Sequence, residues 1–275
     1  MIWETRTHTF DFSKRGAVMG ILNVTPDSFS DGGSWVDVEA AVAHAGRMIG
    51  EGAEIIDIGG ESTRPGATPV GEEEELRRVI PVVAALAGRC VISVDTMKAR
   101  VAREACAAGA EIINDVGGLR DMAMMEAAAD TGAGVVAMHM VGTPQTMQIA
   151  PVYEDIACEV RDFFCQTIER AVRSGVPAAK LVLDPGIGFG KTVEHNLELL
   201  RRLPGIGVGI SRPMLLGVSR KSFIGRVLGS PRMEDREWPT VALTSFGREK
   251  GVRIFRVHEV KANVEALRMT EAIMG

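Results

Sequence analysis

Eight short apolar runs, each ending in polar residues and each set apart by Ala-rich stretches with helical spacing, leave this chain few folds. The runs are 17–23, 54–59, 90–95, 111–115, 134–138, 180–184, 214–218 and 253–257. Near-continuous apolarity in "EIIDIGG" and "KLVLDPG" suits parallel strands covered on both faces, because a strand with one wet face would alternate. Segments 37–50, 72–87, 97–108, 154–173, 192–203 and 261–273 repeat with a helical period. In 154–173 the predicted apolar face is Ile156, Val160, Phe163, Phe164, Ile168 and Val172, with Gly175 placed to close the C-terminus. Eight strand–helix units in about 250 residues predict the α/β class and a (β/α)8 TIM barrel. It is expected as one domain over 1–275 with a short N-terminal extension, residues 1–15. A doubly wound sheet is the second reading, but it needs a strand-order reversal of which the sequence carries no sign.

With 46% hydrophobic and 24% charged residues, the chain has material for a sizeable core. Its net charge of −5 gives no general attraction to nucleic acid or to an anionic membrane, so an anionic ligand would need local Arg and Lys. No run approaches the ~18 apolar residues of a membrane span. The opening "MIWETRTHTFDF" lacks the apolar centre of a signal peptide. A cytoplasmic location is expected. Cys90, Cys106, Cys158 and Cys165 form no CxxC pair and no zinc spacing, so reduced, structural thiols are expected. Cys158 and Cys165, seven apart on a predicted helix, should share a face and fill core.

In a TIM barrel the site is built at the C-terminal ends of the strands. Those positions hold Asn23, the 59–66 loop, Asp95, Asn114, His139, Asp184, the 219–222 segment, and Arg256 with His258. Ordinary loop chemistry would explain two or three polar ends, not all of them. Asp95, Asn114 and Asp184 should point into one pocket, where a carboxylate accepting two parallel N–H bonds matches the amino-pyrimidine edge of a guanine or a pterin. Asn114 can donate and accept along the same ring, and Lys221 could reach a ring carbonyl. A buried carboxylate is costly without a partner, so a cationic or amidine-like group is expected there. Asp57, inside its strand, reads equally well as structural or as part of the site.

A second cluster is cationic: Thr63 and Arg64 in "GGESTRPGA", Arg220 and Ser222 in "GVSRKSFIG", Arg256 and His258 in "FRVHEV". Strand alternation puts Arg256 and His258 on one side, and the set suits a phosphate or diphosphate. Ser222, with the N–H groups of a helix starting near it, could hold a carboxylate. Asn23 could orient a magnesium ion ligated mostly by water and diphosphate. "DPGIGFGK" misses a Walker A loop at Pro185 and a dinucleotide fingerprint at Lys191. Its loop is expected to place Phe189 over a site, with Lys191 solvated.

Taken together, "GILNVTPDSFSDGG", "IIDIGGESTRPGA", "SVDT", "INDV", "MHMVGTPQTMQ", "LDPGIGFGKT", "GVSRKSFIG" and "RVHEV" resemble, in this order, the bacterial dihydropteroate synthases of the pterin-binding TIM-barrel family. The resemblance runs from about residue 16 to the C-terminus. It implies condensation of dihydropterin pyrophosphate with p-aminobenzoate to give dihydropteroate and diphosphate, with Mg2+ as cofactor. It implies that Asp95, Asn114, Asp184 and Lys221 hold the pterin while Arg256 stacks on its face. Asn23, Thr63, Arg64, Arg256 and His258 would serve diphosphate, and Asn23 its magnesium. Phe29, Pro65, Phe189, Lys221 and Ser222 would frame the p-aminobenzoate pocket. Asp27 and Asp31 would stabilise a cationic pterin once diphosphate leaves, so that they join Lys221 and Arg256 as the catalytic set. This accounts for the polar length of "NVTPDSFSDGG" around a single Phe: the resemblance implies a loop that closes, with the 60–70 loop, over the reacting centre.

The resemblance also implies a homodimer, small-molecule partners only, and sulfonamides as inhibitors, with no nucleic acid and no membrane. Two places depart from the family pattern. Glu259 stands where Asp is usual, and Trp238-Pro239 in "REWPTVAL" replaces a Gly-Thr or Gly-Ser pair near the expected dimer contact. A corrinoid-dependent methyltransferase using methyltetrahydrofolate would share Asp95, Asn114 and Asp184 but has no use for the diphosphate cluster. A non-catalytic pterin-binding relative should have lost Asn23, Lys221 or Arg256, and all three are present. The ordinary "STRPG" and "DSFSDGG" argue for sulfonamide sensitivity over resistance.

Overall fold

The computed structural model describes residues 1–25, 35–63 and 66–275. A hairpin of β1 (Ile2–Glu4) and β2 (Thr9–Asp11) precedes the strands β3 (Ala17–Asn23), β4 (Ile55–Gly59), β5 (Val91–Asp95), β6 (Ile112–Asp115), β7 (Gly134–Met138), β8 (Leu181–Asp184), β9 (Leu215–Leu216) and β10 (Ile254–Val257). Among the described residues these last eight form one sheet in the order β8-β7-β6-β5-β4-β3-β10-β9. A parallel bridge between Leu183 and Met214 joins the two end strands and closes the barrel. The helices are α1 (Trp35–Gly50), α2 (Glu72–Leu86), α3 (Ala99–Ala108), α4 (Met122–Thr131), α5 (Ile156–Arg173), α6 (Val193–Arg201), α7 (Leu203–Ile206), α8 (Ser222–Leu228), α9 (Glu237–Glu249) and α10 (Val260–Met274).

Strand alternation sorts the apolar residues into two cores. Met19, Ile55, Val91, Ile112, Val182 and Ile254 fill the lower barrel interior. Their chain neighbours Val18, Ile56, Ile92, Ile113, Leu181 and Phe255 face outward into the core shared with the helices. The inner layer continues down into the hairpin, whose Trp3, Phe10 and Phe12 belong to the same cluster. Trp3 pairs with Phe10 across the hairpin, the rings of Trp3, Phe10 and Phe12 stack at 5.5 and 5.8 Å, and Trp3 Nε1 donates to Lys180 O at 2.8 Å. The N-terminal extension is thus a plug for the bottom of the barrel, leaving the top for chemistry.

Several expectations need correction. The seventh barrel strand is two residues long, not five, because the chain leaves the sheet at Gly217 to form a turn in which Lys221 N bonds Val218 O at 3.2 Å. On α5 the buried face is Ile156, Ala157, Val160, Phe164, Thr167 and Ala171, whereas Val172 is exposed. Cys158 is only partly buried and Cys165 is exposed, so neither fills core; all four thiols are free. No helix among the described residues is long and apolar enough to cross a membrane.

Candidate active site

One step above the apolar layer, the same alternation presents Asp57, Ser93, Asn114, Asp184 and Arg256 to the barrel interior, with Asn23, Gly59 and Asp95 at the rim. Register puts Asp57 beside Ser93, Gly59 beside Asp95, and Asp95 beside Asn114. Asp57, fully buried, is the hub. Its Oδ2 accepts from Arg256 Nε at 2.6 Å and from Asn114 Nδ2 at 3.0 Å. Arg256 also donates through Nη2 to Asp95 Oδ2 at 2.7 Å, so one guanidinium holds two buried carboxylates. Burial pushes the Asp95 carboxyl up to about 7, against the opposing pull of Arg256. Three polar atoms of this layer, Asp57 Oδ1, Ser93 Oγ and Asp95 Oδ1, are buried with no hydrogen-bond partner among the described residues.

Asp184 reaches the same space from the other side. Oδ2 of Asp184 and Cβ of Arg256 lie 3.7 and 3.9 Å from the position a Cβ on Gly217 would take. Its Oδ1 accepts Gly186 N–H at 2.7 Å, and burial raises its pKa, opposed first by Lys221. Lys221, the residue before α8, donates to Ile187 O and lies 4.4 Å from the centroid of the Phe189 ring. Burial lowers Lys221 to about 8, with Asp184 pulling the other way. Gly188 has φ +84, and a Cβ there would stand 2.8 Å from Lys221 Cδ, so the loop and the lysine fit only with glycine at 188.

At the rim, Ser222 opens α8 and is exposed. Its neighbour Arg220 holds φ +58 and pairs with Glu237 at 2.7 Å and with Glu259, the residue standing where Asp was expected. Ser219 Oγ lies 2.9 Å from His258 Nδ1 and accepts His258 N–H at 3.1 Å. Asn23 and Thr63 are partly buried at the ends of β3 and of the segment after β4. Asp27, Phe29, Asp31, Arg64 and Pro65 lie outside the described residues. Among the described residues no group of three or more His, Cys, Asp or Glu could hold a metal ion.

The structure thus brings together Asp95, Asn114, Asp184, Lys221, Phe189 and Arg256, and adds Asp57, which shares the inward parity of Ile55. It overturns the solvated reading of Lys191. That side chain is buried, with Nζ 3.1 Å from His139 Nδ1, 2.9 Å from Gly186 O and Phe189 O, and 3.3 Å from His139 O. Nothing in "GFGKT" separates this lysine from an exposed one, because its acceptors come from a strand 52 residues earlier and from its own loop. Trp238 is exposed, and Pro239 sits in the first turn of α9, where its missing N–H costs no helical bond.

The chain matches the sequence family described as "Pterin binding enzyme" over residues 19–258. It is 51% identical over 260 residues to the dihydropteroate synthase of Escherichia coli K12, covering 94% of this chain and 92% of that one. It superposes with a TM-score of 0.93 and 48% identity on the Yersinia pestis dihydropteroate synthase solved with a sulfonamide drug, covering 100% of this chain and 99% of that one. The Xanthomonas albilineans dihydropteroate synthase solved with 7,8-dihydropteroate gives a TM-score of 0.89 at 42% identity, covering 100% and 99%. By fold, by polar layer and by kinship across nearly its whole length, the chain belongs to the dihydropteroate synthase family of pterin-binding enzymes.

Proposed function

We propose that this chain joins 6-hydroxymethyl-7,8-dihydropterin pyrophosphate to p-aminobenzoate, releasing diphosphate and 7,8-dihydropteroate, the folate precursor. The observation that carries the reading is the set of unpartnered buried atoms at the barrel's polar layer, Asp57 Oδ1, Ser93 Oγ and Asp95 Oδ1. Two carboxylate oxygens without donors among the described residues, beside an Asn and a third Asp, call for a flat ligand edge rich in N–H groups, which a dihydropterin supplies. In this reading Asp95, Asn114 and Asp184 take the pterin edge, Lys221 its carbonyl, and Arg256 its face.

Asn23, Thr63, Arg64, Arg256 and His258 are assigned to the diphosphate. Phe29, Pro65, Phe189, Lys221 and Ser222 are assigned to p-aminobenzoate, its carboxylate lying at the exposed Ser222 and the first N–H groups of α8. An aryl amine is a weak nucleophile, so the effective lever is the leaving group. The C–O bond to diphosphate breaks with its electron pair staying on oxygen. The amine lone pair then forms the C–N bond, and the amine proton leaves after attack. Asp27 and Asp31 are assigned to the cationic pterin formed on the way. His258, held by Ser219, is an anion ligand and not a base.

Asn23 is assigned to magnesium. One neutral amide oxygen at the rim, with no group of three or more His, Cys, Asp or Glu able to hold a metal among the described residues, fits an ion held mostly by water and diphosphate. Magnesium there would take up charge on the departing diphosphate. Sulfonamides, seen with the Yersinia pestis relative, are assigned to the p-aminobenzoate pocket. Free thiols at Cys90, Cys106, Cys158 and Cys165 support a reducing, cytoplasmic setting. Exposed Trp238, Met269 and Ile273 on α9 and α10 support a homodimer. The test is diphosphate release from dihydropterin pyrophosphate. Release that needs p-aminobenzoate and stops with a chelator supports the reading. Tight pterin binding without release would move the assignment to methyl transfer or to binding alone.

A further inference from the structure

The loop after β8 has an unusual construction. Each of its five consecutive carbonyls, residues 186–190, accepts a hydrogen bond from a side chain. Lys191 takes Gly186 O and Phe189 O, Lys221 takes Ile187 O, Gln148 takes Gly188 O at 3.0 Å, and Tyr153 takes Gly190 O at 2.8 Å. Three glycines, Gly186, Gly188 and Gly190, hold left-handed φ values of +65, +84 and +59, so the loop has no regular secondary structure of its own to fix it. Its shape is set by these donors together with a Phe189 N–H bond to Gly186 O at 3.0 Å and a Gly188 N–H bond to Asn196 Oδ1 at 2.6 Å.

Lys191 is central among them. Its Nζ is buried within reach of three carbonyl oxygens and Nδ1 of His139, and burial lowers its pKa well below the ordinary lysine value, with Asp184 pulling the other way. A neutral His139 ring with its proton on Nε2 accepts at Nδ1 from Lys191. Burial, with Lys191 and Arg120 nearby, holds His139 far below its ordinary range, at about 2. The ring is wedged between Tyr153 and Phe163, at centroid distances of 6.1 and 5.1 Å. A Cβ on Gly186 would stand 1.9 Å from His139 O, which shows how closely the loop lies on the end of β7.

We infer that Lys191 and His139 are a positioning pair for the reaction, setting the place of Phe189 and, through the Gly186 amide, the orientation of Asp184. The inference rests on the reading of the pocket given above. Both residues are buried, and neither is among those assigned above to a substrate. Lys191 anchors the peptide carbonyls on either side of Ile187 and Gly188, the stretch on which Lys221 rests. Gly186 links the two sites: its carbonyl is held by Lys191 while its N–H binds Asp184. Removing the lysine therefore loosens the p-aminobenzoate wall and one pterin ligand together.

The experiment begins with the native protein. If p-aminobenzoate does not stimulate diphosphate release by the unaltered enzyme, the functional reading has failed and the pair is not yet in question. Given that release, Lys191→Met should raise the KM for p-aminobenzoate by between about tenfold and about a hundredfold, the scale of an ångström-sized misplacement. Its Kd for the pterin substrate should weaken less. Because that variant can also fail to fold, a second pair decides the matter. His139→Leu leaves Lys191 its three carbonyls and should raise the same KM by about tenfold, while His139→Asn, whose amide oxygen can stand in for Nδ1, should recover most of that loss. Equal KM values for His139→Leu and the native enzyme, with only the Tm lowered, would reduce the pair to a structural role and overturn the inference.

Discussion

Replacing Arg256 with Met removes the cation that two buried carboxylates share. Its nitrogens stand 2.6 Å from Asp57 and 2.7 Å from Asp95, whose side chains are 0% and 6% exposed. Deleting one partner of a buried ion pair costs about 3–5 kcal/mol, because the other charge stays behind without compensation. Arg256 is itself one-fifth exposed, so water can enter the gap, and the lower end, about 3 kcal/mol, is the better figure. For a chain of this size that lowers Tm by about 6–12 °C. The loss should depend on pH in a definite direction. Asp95 already sits at about 7 in the folded protein despite the guanidinium. Without it the folded value rises further, while the unfolded chain titrates near the ordinary Asp value of about 3.9. A carboxyl whose folded pKa lies above the unfolded one costs stability at high pH and returns it as pH falls through the folded value. The return is about 1.4 kcal/mol for each unit of added shift. Thermal unfolding followed by circular dichroism should therefore show the widest gap between variant and native protein near about pH 9 and a narrower one near about pH 6. The same deficit at both pH values, or none at either, would refute the shared-cation account of this layer.

Four further outcomes are expected. Pterin affinity measured by calorimetry should weaken about fivefold from pH 8 to pH 9, because Lys221 loses its proton as pH rises through about 8; Lys221→Met should bind weakly with no such slope. Asp184→Ala should abolish pterin binding, and unchanged affinity in the same titration would sink the pocket assignment. Ser222→Ala should raise the KM for p-aminobenzoate by a few-fold, with pterin affinity unchanged, since one hydroxyl at a helix start contributes roughly 1 kcal/mol. Trp238→Asp should shift a dimer toward monomer in light scattering, and an unchanged mass would remove that face from the interface.

How much of this was legible beforehand can be followed along single strands. In "EIIDIGG" the even spacing of Ile55, Asp57 and Gly59 already places Asp57 inside the barrel with the polar layer. The sequence could not say that Asp57 would bond Arg256, which is 199 residues away. That Asp95, Asn114, Asp184 and Arg256 would meet in one layer was readable because each ends or nearly ends an apolar strand, and the barrel brings such ends together whatever the loops do. The N-terminal plug was not readable. Trp3, Phe10 and Phe12 are scattered in a polar segment, and only the open barrel bottom gives them a place to be buried. Cys165 and Val172 show the converse: helical spacing gives a face, but the packing neighbour decides how wide that face is.

Local sequence by itself determined the eight strands, six of the helices between them and the set of polar ends, since these follow from periods of 2 and 3.6 along one chain. Tertiary structure alone decided the charge states and partners. Lys191 is buried against the end of β7, and that burial lowers its pKa, while Asp95 is lifted because closure of the barrel removes its water. Desolvation and ion pairing act through space, between groups that the chain brings together only once it has folded.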